Sequence, residues 1–436
     1  MSQAAHIPEP EREPPARGAA ELFRQREMAP RRLNWPGLAP AAGASLQRWA
    51  TSRLSRSPLA HAAALGLVHA AVDASTVTAV FRTTRAIEMS RASAFWIVVA
   101  YNLIAFGLQP AVGWISDRWR LPRACLLLGI VLPALALFTP STSAVVTLAC
   151  AALGNALFHV GAGVLVLGHG LEKTAPAGVF VGPGALGLGF GIWYGRNPGL
   201  GPAWPLAIAL GLALGAWVLL RRRPAEHAGD APAARAGVRP VVDPGDVPRA
   251  RGAAGRPASQ WIAVAVALLL VSVAVRSLVG GEVTRGCPRS LLLLLGVPLA
   301  AFAGKSLGGF IADRIGWLEA TGLALLTSTP LIVWGAGHTP LLLLGMLLFQ
   351  TTMPVTLIAV ARALPRFPGV AFGLPCLALV LGSLPALFPG IAPALQRPQL
   401  LGWAALALAS VITGLWLLGL RPAHVFSFTK EKRITT

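Results

Sequence analysis

Apolar runs of about twenty residues, separated by short turns that carry the polar and basic residues, succeed one another from residue 60 to residue 420. A helix rises ~1.5 Å per residue, so a run of ~20 residues crosses the ~30 Å of bilayer hydrocarbon. On that measure spans are predicted at 60–81, 94–115, 122–139, 143–168, 176–195 and 202–220, and again at 260–280, 290–312, 317–336, 339–361, 369–392 and 399–420. The pattern predicts an all-α membrane protein with twelve transmembrane helices, six on each side of a polar segment. That segment, 221–258, is rich in Pro, Gly, Ala and Arg and reads as a cytoplasmic linker. Residues 1–58 hold Pro, Ala, Arg and Glu without a sustained apolar period, which predicts a disordered basic head with at most a short amphipathic helix around 46–59. The remaining parts are an N-terminal six-helix bundle at 59–220, a C-terminal six-helix bundle at 259–421 and a cytoplasmic tail at 422–436.

Composition strengthens the membrane reading. Of the 436 residues, 55% are hydrophobic and 12% charged, whereas a soluble domain carries roughly 25% charged residues. The net charge of +20 is concentrated, with nine Arg against five Glu in the head and eight Arg against four acids in 221–258. Basic segments beside apolar spans mark the cytoplasmic face of a polytopic protein in a lipid bilayer, not a nucleic-acid surface. The short loops carry equal numbers of basic residues on the two sides. Arg48, Arg53, Arg56, Arg221, Arg222, Arg223, Arg251, Arg256 and Arg421 break the tie. They place the linker and both termini in the cytoplasm of a multi-pass protein of the cell (inner) membrane, as an even number of spans requires. The N-terminus lacks the short apolar core of a secretory signal, and its five Glu oppose a transit peptide. Cys125, Cys150, Cys287 and Cys376 lie far apart, so neither a disulfide framework nor a zinc site is expected.

The two halves echo each other. Gly113-Trp114-Ile115-Ser116-Asp117-Arg118 closes the second span, and Gly309-Phe310-Ile311-Ala312-Asp313-Arg314 closes the second span of the other half. Matching motifs at matching places in halves of nearly equal length indicate an internal repeat, a construction common among secondary transporters. The pattern Gly-x-x-x-Asp-Arg-x-Gly resembles the loop motif of the major facilitator superfamily. The second copy runs through to Gly316, while the first has Arg120 where the last Gly is expected. The resemblance implies two pseudo-symmetric six-helix bundles, with Gly113, Asp117, Arg118, Gly309, Asp313 and Arg314 as conformational latches on the cytoplasmic side. Glycine lets helices approach closely, and an anion is favoured at a helix N-terminus. Plain helix capping by the Asp-Arg pairs is the alternative. A narrower resemblance, to fosmidomycin-resistance-type transporters, rests on short scattered motifs. These are His69-x-x-x-Asp73, Gln109-Pro110-x-x-Gly113, Phe158-His159, Phe180 with Gly187 and Gly191, Arg276-Ser277, and the run from Pro368 to Gly373. Where that subfamily often has an acid after the fourth-helix His, this chain has Val160.

Ionisable residues deep in a spanning helix cost about 2.5–3.5 kcal/mol each on insertion scales, so their retention points to use. Most acids fall at predicted loops, Glu282 among them, but Asp73 lies near the middle of the first span, with His69 four residues earlier on the same helical face. Burial penalises the charge of each and their mutual attraction offsets that penalty, so the pair can load and release protons. His69, Asp73 and the mid-span His159 are candidate proton-coupling residues. The alternatives are a His–Asp bond that only fixes the first helix, and a packing role for His159. No fixed ligand spacing among the three supports a metal. Arg276 and Lys305 would attract an anionic substrate, such as a phosphonate or carboxylate. Arg276 can instead snorkel to the headgroups if its helix ends there, and Lys305 can pair with an acid. Asn102, Gln109, Gln350 and Thr356, beside Thr351 and Thr352, are neutral candidates for the substrate site, though amides and hydroxyls in membrane helices also bond simply across helices. Gly178-x-x-x-Gly182-Pro183-x-x-x-Gly187 partly resembles the Gly-Pro motif of proton-driven exporters, with Leu186 in place of one Gly.

The combined reading is a monomeric secondary transporter of a small organic anion, proton-coupled and outward-directed, using no cofactor and no resident metal. A proton-symporting importer of organic acids or sugars stays open as an alternative, as does a non-transporting membrane scaffold. A membrane enzyme is disfavoured, because the sequence offers no paired carboxylates, no nucleophile with a base and no phosphate-binding Gly loop.

Overall fold

The computed structural model describes residues 57–140, 142–221, 259–286, 291–388 and 396–420. The expected head, linker and tail lie outside the described residues, apart from their edges at 57, 58 and 221. Within these bounds the chain is helical and contains no strand. Twelve helices follow in order: α1 (Pro58–Ala86), α2 (Arg91–Trp119), α3 (Pro122–Ala136), α4 (Ala144–Leu167), α5 (Ala175–Arg196), α6 (Trp204–Arg221), α7 (Ser259–Gly286), α8 (Leu291–Ile315), α9 (Trp317–Trp334), α10 (Thr339–Ala363), α11 (Pro368–Leu387) and α12 (Arg397–Leu417). Among the described residues nine are long and apolar enough to cross a membrane, and Pro122–Ala136 and Trp204–Val218 are shorter apolar helices.

Local chemistry explains where these helices start and break. Ser57, Ser90 and Ser143 accept from the backbone N–H of Ala60, Ser93 and Val146, which satisfies donors left free at each N-terminus. Pro58 follows Ser57 at the position where its missing N–H costs nothing. In α2 a π-turn at Leu103–Gly107 precedes Pro110, and the Gln109 side-chain amide donates to Ala105 O at 2.8 Å. In α10 the helix is interrupted at Thr351 and Thr352, just before Pro354.

Packing relies on small residues, as expected where lipid supplies no hydrophobic drive between helices. Helix α5 is stripped on two faces. Gly178 and Gly182 lie against Lys305, Ser306 and Phe302 of α8, while Gly184, Gly187 and Gly191 lie against His69, Ala70 and Ala74 of α1. Helix α2 meets α11 in the same manner, Gly373 resting on Gln109 and Pro110. The first six helices thus touch the last six mainly through α5 on α8 and α2 on α11, with α4 also reaching α11. Large apolar side chains point outward, Val145 at 76% and Leu212 at 71% exposure, which suits a lipid-facing surface.

Several predicted boundaries shift: α1 runs to Ala86 and α2 to Trp119, beyond the expected 81 and 115. Helix α7 runs to Gly286, beyond the expected end at 280, so Glu282 is buried inside a helix and not in a loop. Helix α11 ends at Leu387, short of the expected 392, two residues after Pro385.

Candidate functional site

Asp73 is the residue after the midpoint of α1, and His69 stands one turn before it. From α4 come Asn155 and His159, again one turn apart, both within four residues of that helix's midpoint. The four side chains close into one buried cluster. His69 Nε2 lies 3.2 Å from Asp73 Oδ2 and 2.9 Å from His159 Nε2. His159 Nε2 lies 3.9 Å from Asp73 Oδ1, to which the Asn155 amide donates at 2.8 Å.

The outer nitrogens fix how these rings are protonated. His69 Nδ1 is 3.0 Å from the Phe180 carbonyl, and His159 Nδ1 is 2.9 Å from the Asn155 carbonyl. A carbonyl only accepts, so each Nδ1 carries the hydrogen and donates it. Both Nε2 atoms therefore turn toward each other and toward a carboxylate. If both rings were neutral, three electron-rich atoms would face one another in a dry interior. Positive charge placed among them eases that conflict, and a proton on one Nε2 eases it at that nitrogen. Phe106, Phe158, Phe180 and Phe372 wall the rings at centroid distances of 5.0 to 6.5 Å. The buried Tyr101 hydroxyl lies 2.8 Å from the hydroxyl of Thr76, three residues after Asp73 on α1.

The last six helices bring cations to the same level. Arg276 lies within four residues of the midpoint of α7, and Lys305 within two of the midpoint of α8. Because α7 continues to Gly286, Arg276 is interior and 7% exposed, which corrects the headgroup-snorkelling alternative. Its guanidinium donates to Thr352 Oγ1, to Thr356 Oγ1 at 2.9 Å, and through Nε to Ser272 O at 3.2 Å. Among the described residues no carboxylate lies within ion-pair distance of Arg276 or Lys305. Lys305 acts electrostatically on Asp73 and His159 across the interface between the two sets of helices.

Of the neutral candidates, Thr356 belongs to this group, joined by Thr352. Gln350 packs beside Gly304 on α8. Asn102 and Gln109 do not join it. Their amides donate to Val98 O and Ala105 O, four residues back on their own helix, and Gln109 serves the break in α2. The sequence reading did not single out Asn155, the Phe180 carbonyl or Tyr101. Only Asn155 left a signal, since Asn155-x-x-x-His159 repeats the spacing of His69-x-x-x-Asp73 on a facing helix.

At one end of the helices the repeated motif makes a reciprocal pair of contacts. Asp117, at the end of α2, accepts from Gly369 N (2.9 and 3.0 Å) and Val370 N (3.0 Å) at the start of α11. Asp313, at the end of α8, accepts from Thr174 N (2.7 Å), Ala175 N (3.0 Å) and Thr174 Oγ1 (2.9 Å) at the start of α5. Each carboxylate thus caps a helix of the other half, where unsatisfied N–H groups and the helix dipole favour an anion. The glycine one turn earlier makes the approach possible: a Cβ on Gly113 would overlap Gly369, and one on Gly309 would crowd Thr174 and Ala175. Arg118 and Arg314 are exposed and outside these contacts, so the grip rests on Gly and Asp alone. A third tie comes from Arg362, whose Nε donates to Leu171 O at 2.7 Å while its guanidinium lies 4.3 Å above the Trp317 ring.

No family model matches this sequence, and no curated protein matches it. Solved structures do. The chain superposes on the E. coli fucose:proton symporter FucP (N162A) with a TM-score of 0.56 at 15% identity, covering 83% of this chain and 98% of that one. It superposes on the human organic anion transporter MFSD10 (TETRAN) with a TM-score of 0.55 at 19% identity, covering 83% and 100%. FucP in the outward conformation, described as a Major Facilitator Superfamily transporter, gives 0.55 at 15% identity over 84% and 99%. The architecture of the described residues, helical throughout, is the major facilitator fold.

Proposed function

We propose that the chain is a secondary active transporter that moves a small organic anion outward across the cell (inner) membrane in exchange for protons. The observation that carries this reading is the placement of ionisable groups from both halves at mid-helix depth: buried Asp73, His69 and His159 on one side, buried Arg276 and half-buried Lys305 on the other. Asp73 and the two imidazoles hold the coupling proton and pass it among themselves without exposing a bare charge to lipid. Arg276, with Thr352 and Thr356 bound to it, and Lys305 hold the anionic group of the solute.

Two six-helix bundles, 59–220 and 259–421, rock about this centre by alternating access, and the chain works as a monomer. The Asp117 and Asp313 latches clamp the cytoplasmic end, where the basic-residue bias puts both termini. Proton and solute drive the cycle through their different affinities for the latched and unlatched states. The side-chain-free faces of α5 support export through the resemblance of Gly178–Gly187 to the exporter Gly-Pro motif, and the subfamily reading stays with the fosmidomycin-resistance-type motifs.

The test is flux in proteoliposomes under an imposed pH gradient, with a panel of small phosphonates and carboxylates as solutes. Asp73→Asn is expected to abolish gradient-driven flux and to keep solute counterflow. Undiminished gradient-driven flux in that variant overturns the assignment.

A further inference from the structure

We propose that His69, His159 and Asp73 also form a binding site for a divalent transition-metal ion of the zinc or cobalt class. Three donor atoms, two imidazole nitrogens and one carboxylate oxygen, converge from α1 and α4 and lie within 4.8 Å of one another. Donors bound ~2.1 Å from a tetrahedral metal stand about 3.4 Å apart. His159 Nε2 and Asp73 Oδ2 lie 2.9 and 3.2 Å from His69 Nε2, close to that figure, while the carboxylate oxygen within 4 Å of His159 Nε2 is the other one, Oδ1, at 3.9 Å, so a small rotation of the carboxylate or of the His159 ring closes the set.

Convergence alone would be weak evidence; the second layer is stronger. A metal-ligating histidine donates its other ring N–H to a backbone carbonyl or carboxylate, which fixes the tautomer and aims the free lone pair. Both rings do so here, through Phe180 O and Asn155 O. The carboxylate is likewise steered, its Oδ1 held by the Asn155 amide. All three donors are therefore pre-set with lone pairs facing inward, an arrangement that a single proton satisfies at one nitrogen only and a dication satisfies at all three. Three protein ligands leave a fourth position open, as in exchangeable rather than structural sites. The ligand set, two imidazoles and a carboxylate without thiolate, suits zinc or cobalt better than copper(I). Sequence spacing alone does not reveal this site, because only the i, i+4 pair on α1 is local and the third ligand arrives by helix packing. Lys305, half-buried near the middle of α8, adds a positive charge on the side of the second half that would oppose a bound dication.

The proposal needs nothing from the transport reading and is tested without transport. Purified full-length protein in detergent is titrated with Zn²⁺ by calorimetry and with Co²⁺ by visible absorption. One ion per chain is expected, with the intense bands of a four- or five-coordinate site. His69→Gln or His159→Gln is expected to weaken binding at least tenfold. Asn155→Ala keeps every donor and removes only the amide that steers Asp73; it is expected to weaken binding severalfold, and it serves if a His variant does not fold. Lys305→Met should tighten binding severalfold, whereas His338→Gln, an exposed control, should leave it unchanged. An absent Co²⁺ spectrum, or one that survives the His69, His159 and Asn155 substitutions alike, overturns the proposal. Loss of gradient-driven flux in Asp73→Asn is scored separately, so failure of either idea is visible without the other.

Discussion

The first six helices and the last six treat buried charge in opposite ways. In the first, Asp73, His69, His159 and Asn155 answer one another, and every polar contact at the cluster's heart is supplied from α1, α4 and the α5 backbone. In the last, the hydrogen-bond partners of Arg276 among the described residues are hydroxyls and a carbonyl, and Lys305 stands half-buried near the middle of α8. A self-answering cluster can exchange a proton at small cost. A cation with neutral neighbours keeps its charge available for a ligand. The latches differ as well: the turn after Asp313 is made by Gly316 at φ 104°, whereas the turn after Asp117 forces Arg120 to φ 55°, a left-handed conformation that side chains resist.

The contrast can be broken at four points, from the largest effect downward. Arg276→Ala should raise KM for an anionic solute at least tenfold in liposome flux while sparing the proton-dependent behaviour that Asp73→Asn removes. Arg276→Lys should recover only part of the loss, because an ammonium cannot reach Thr352 and Thr356 with a planar fork. An equal loss of solute affinity in Asp73→Asn would erase the division of labour between the halves. Next, Gly184→Ala drives a methyl into the His69 ring. Overpacking of this kind costs about 1–3 kcal/mol, read as a lowered Tm together with weakened coupling.

Third, Asp117→Ala and Asp313→Ala each remove one cross-half cap, worth ~1 kcal/mol apiece. Each should raise the labelling rate of a cysteine placed at the latched end, and the double variant should raise it more than either alone. The smallest effect is expected at Arg120→Gly, where relief of ~1 kcal/mol of left-handed strain is largely offset by the greater unfolded-state freedom of Gly, leaving a net gain of a few tenths of a kcal/mol read as a slightly raised Tm, while no comparable gain is available at Gly316.

Much of the helical plan was legible because lipid thickness sets helix length and the apolar runs record it. What failed was local. Val279 through Gly286 continue α7 although Gly280, Gly281, Glu282, Thr284 and Arg285 look like a loop, and this moved Arg276 from a helix end to the interior. Within the site, the His69 and Asp73 pairing was readable as two residues on one face. Its extension to His159 and Asn155 was not, because it depends on how α4 lies against α1. Motif spacing identified Gly113, Asp117, Gly309 and Asp313, and the affinity of an anion for a helix N-terminus pointed to the kind of partner they grip, but that the N-termini are those of α11 and α5 depends on how the halves pack. Asn102 and Gln109 looked like free polar groups because their amide N–H groups are taken by carbonyls four residues back, Val98 O in the regular helix and Ala105 O in the break of α2, which hydrophobicity does not register.

The depth of Asp73 has an electrical consequence. In the membrane orientation proposed above, a proton resting at the middle of α1 has traversed about half of the transmembrane voltage. Each 100 mV then contributes roughly 1 kcal/mol to loading from one face and as much again to unloading at the other, half of the ~2.3 kcal/mol for a full crossing. On the proton-coupling role proposed for Asp73, both half-reactions are voltage-sensitive, each carrying about half of the full effect.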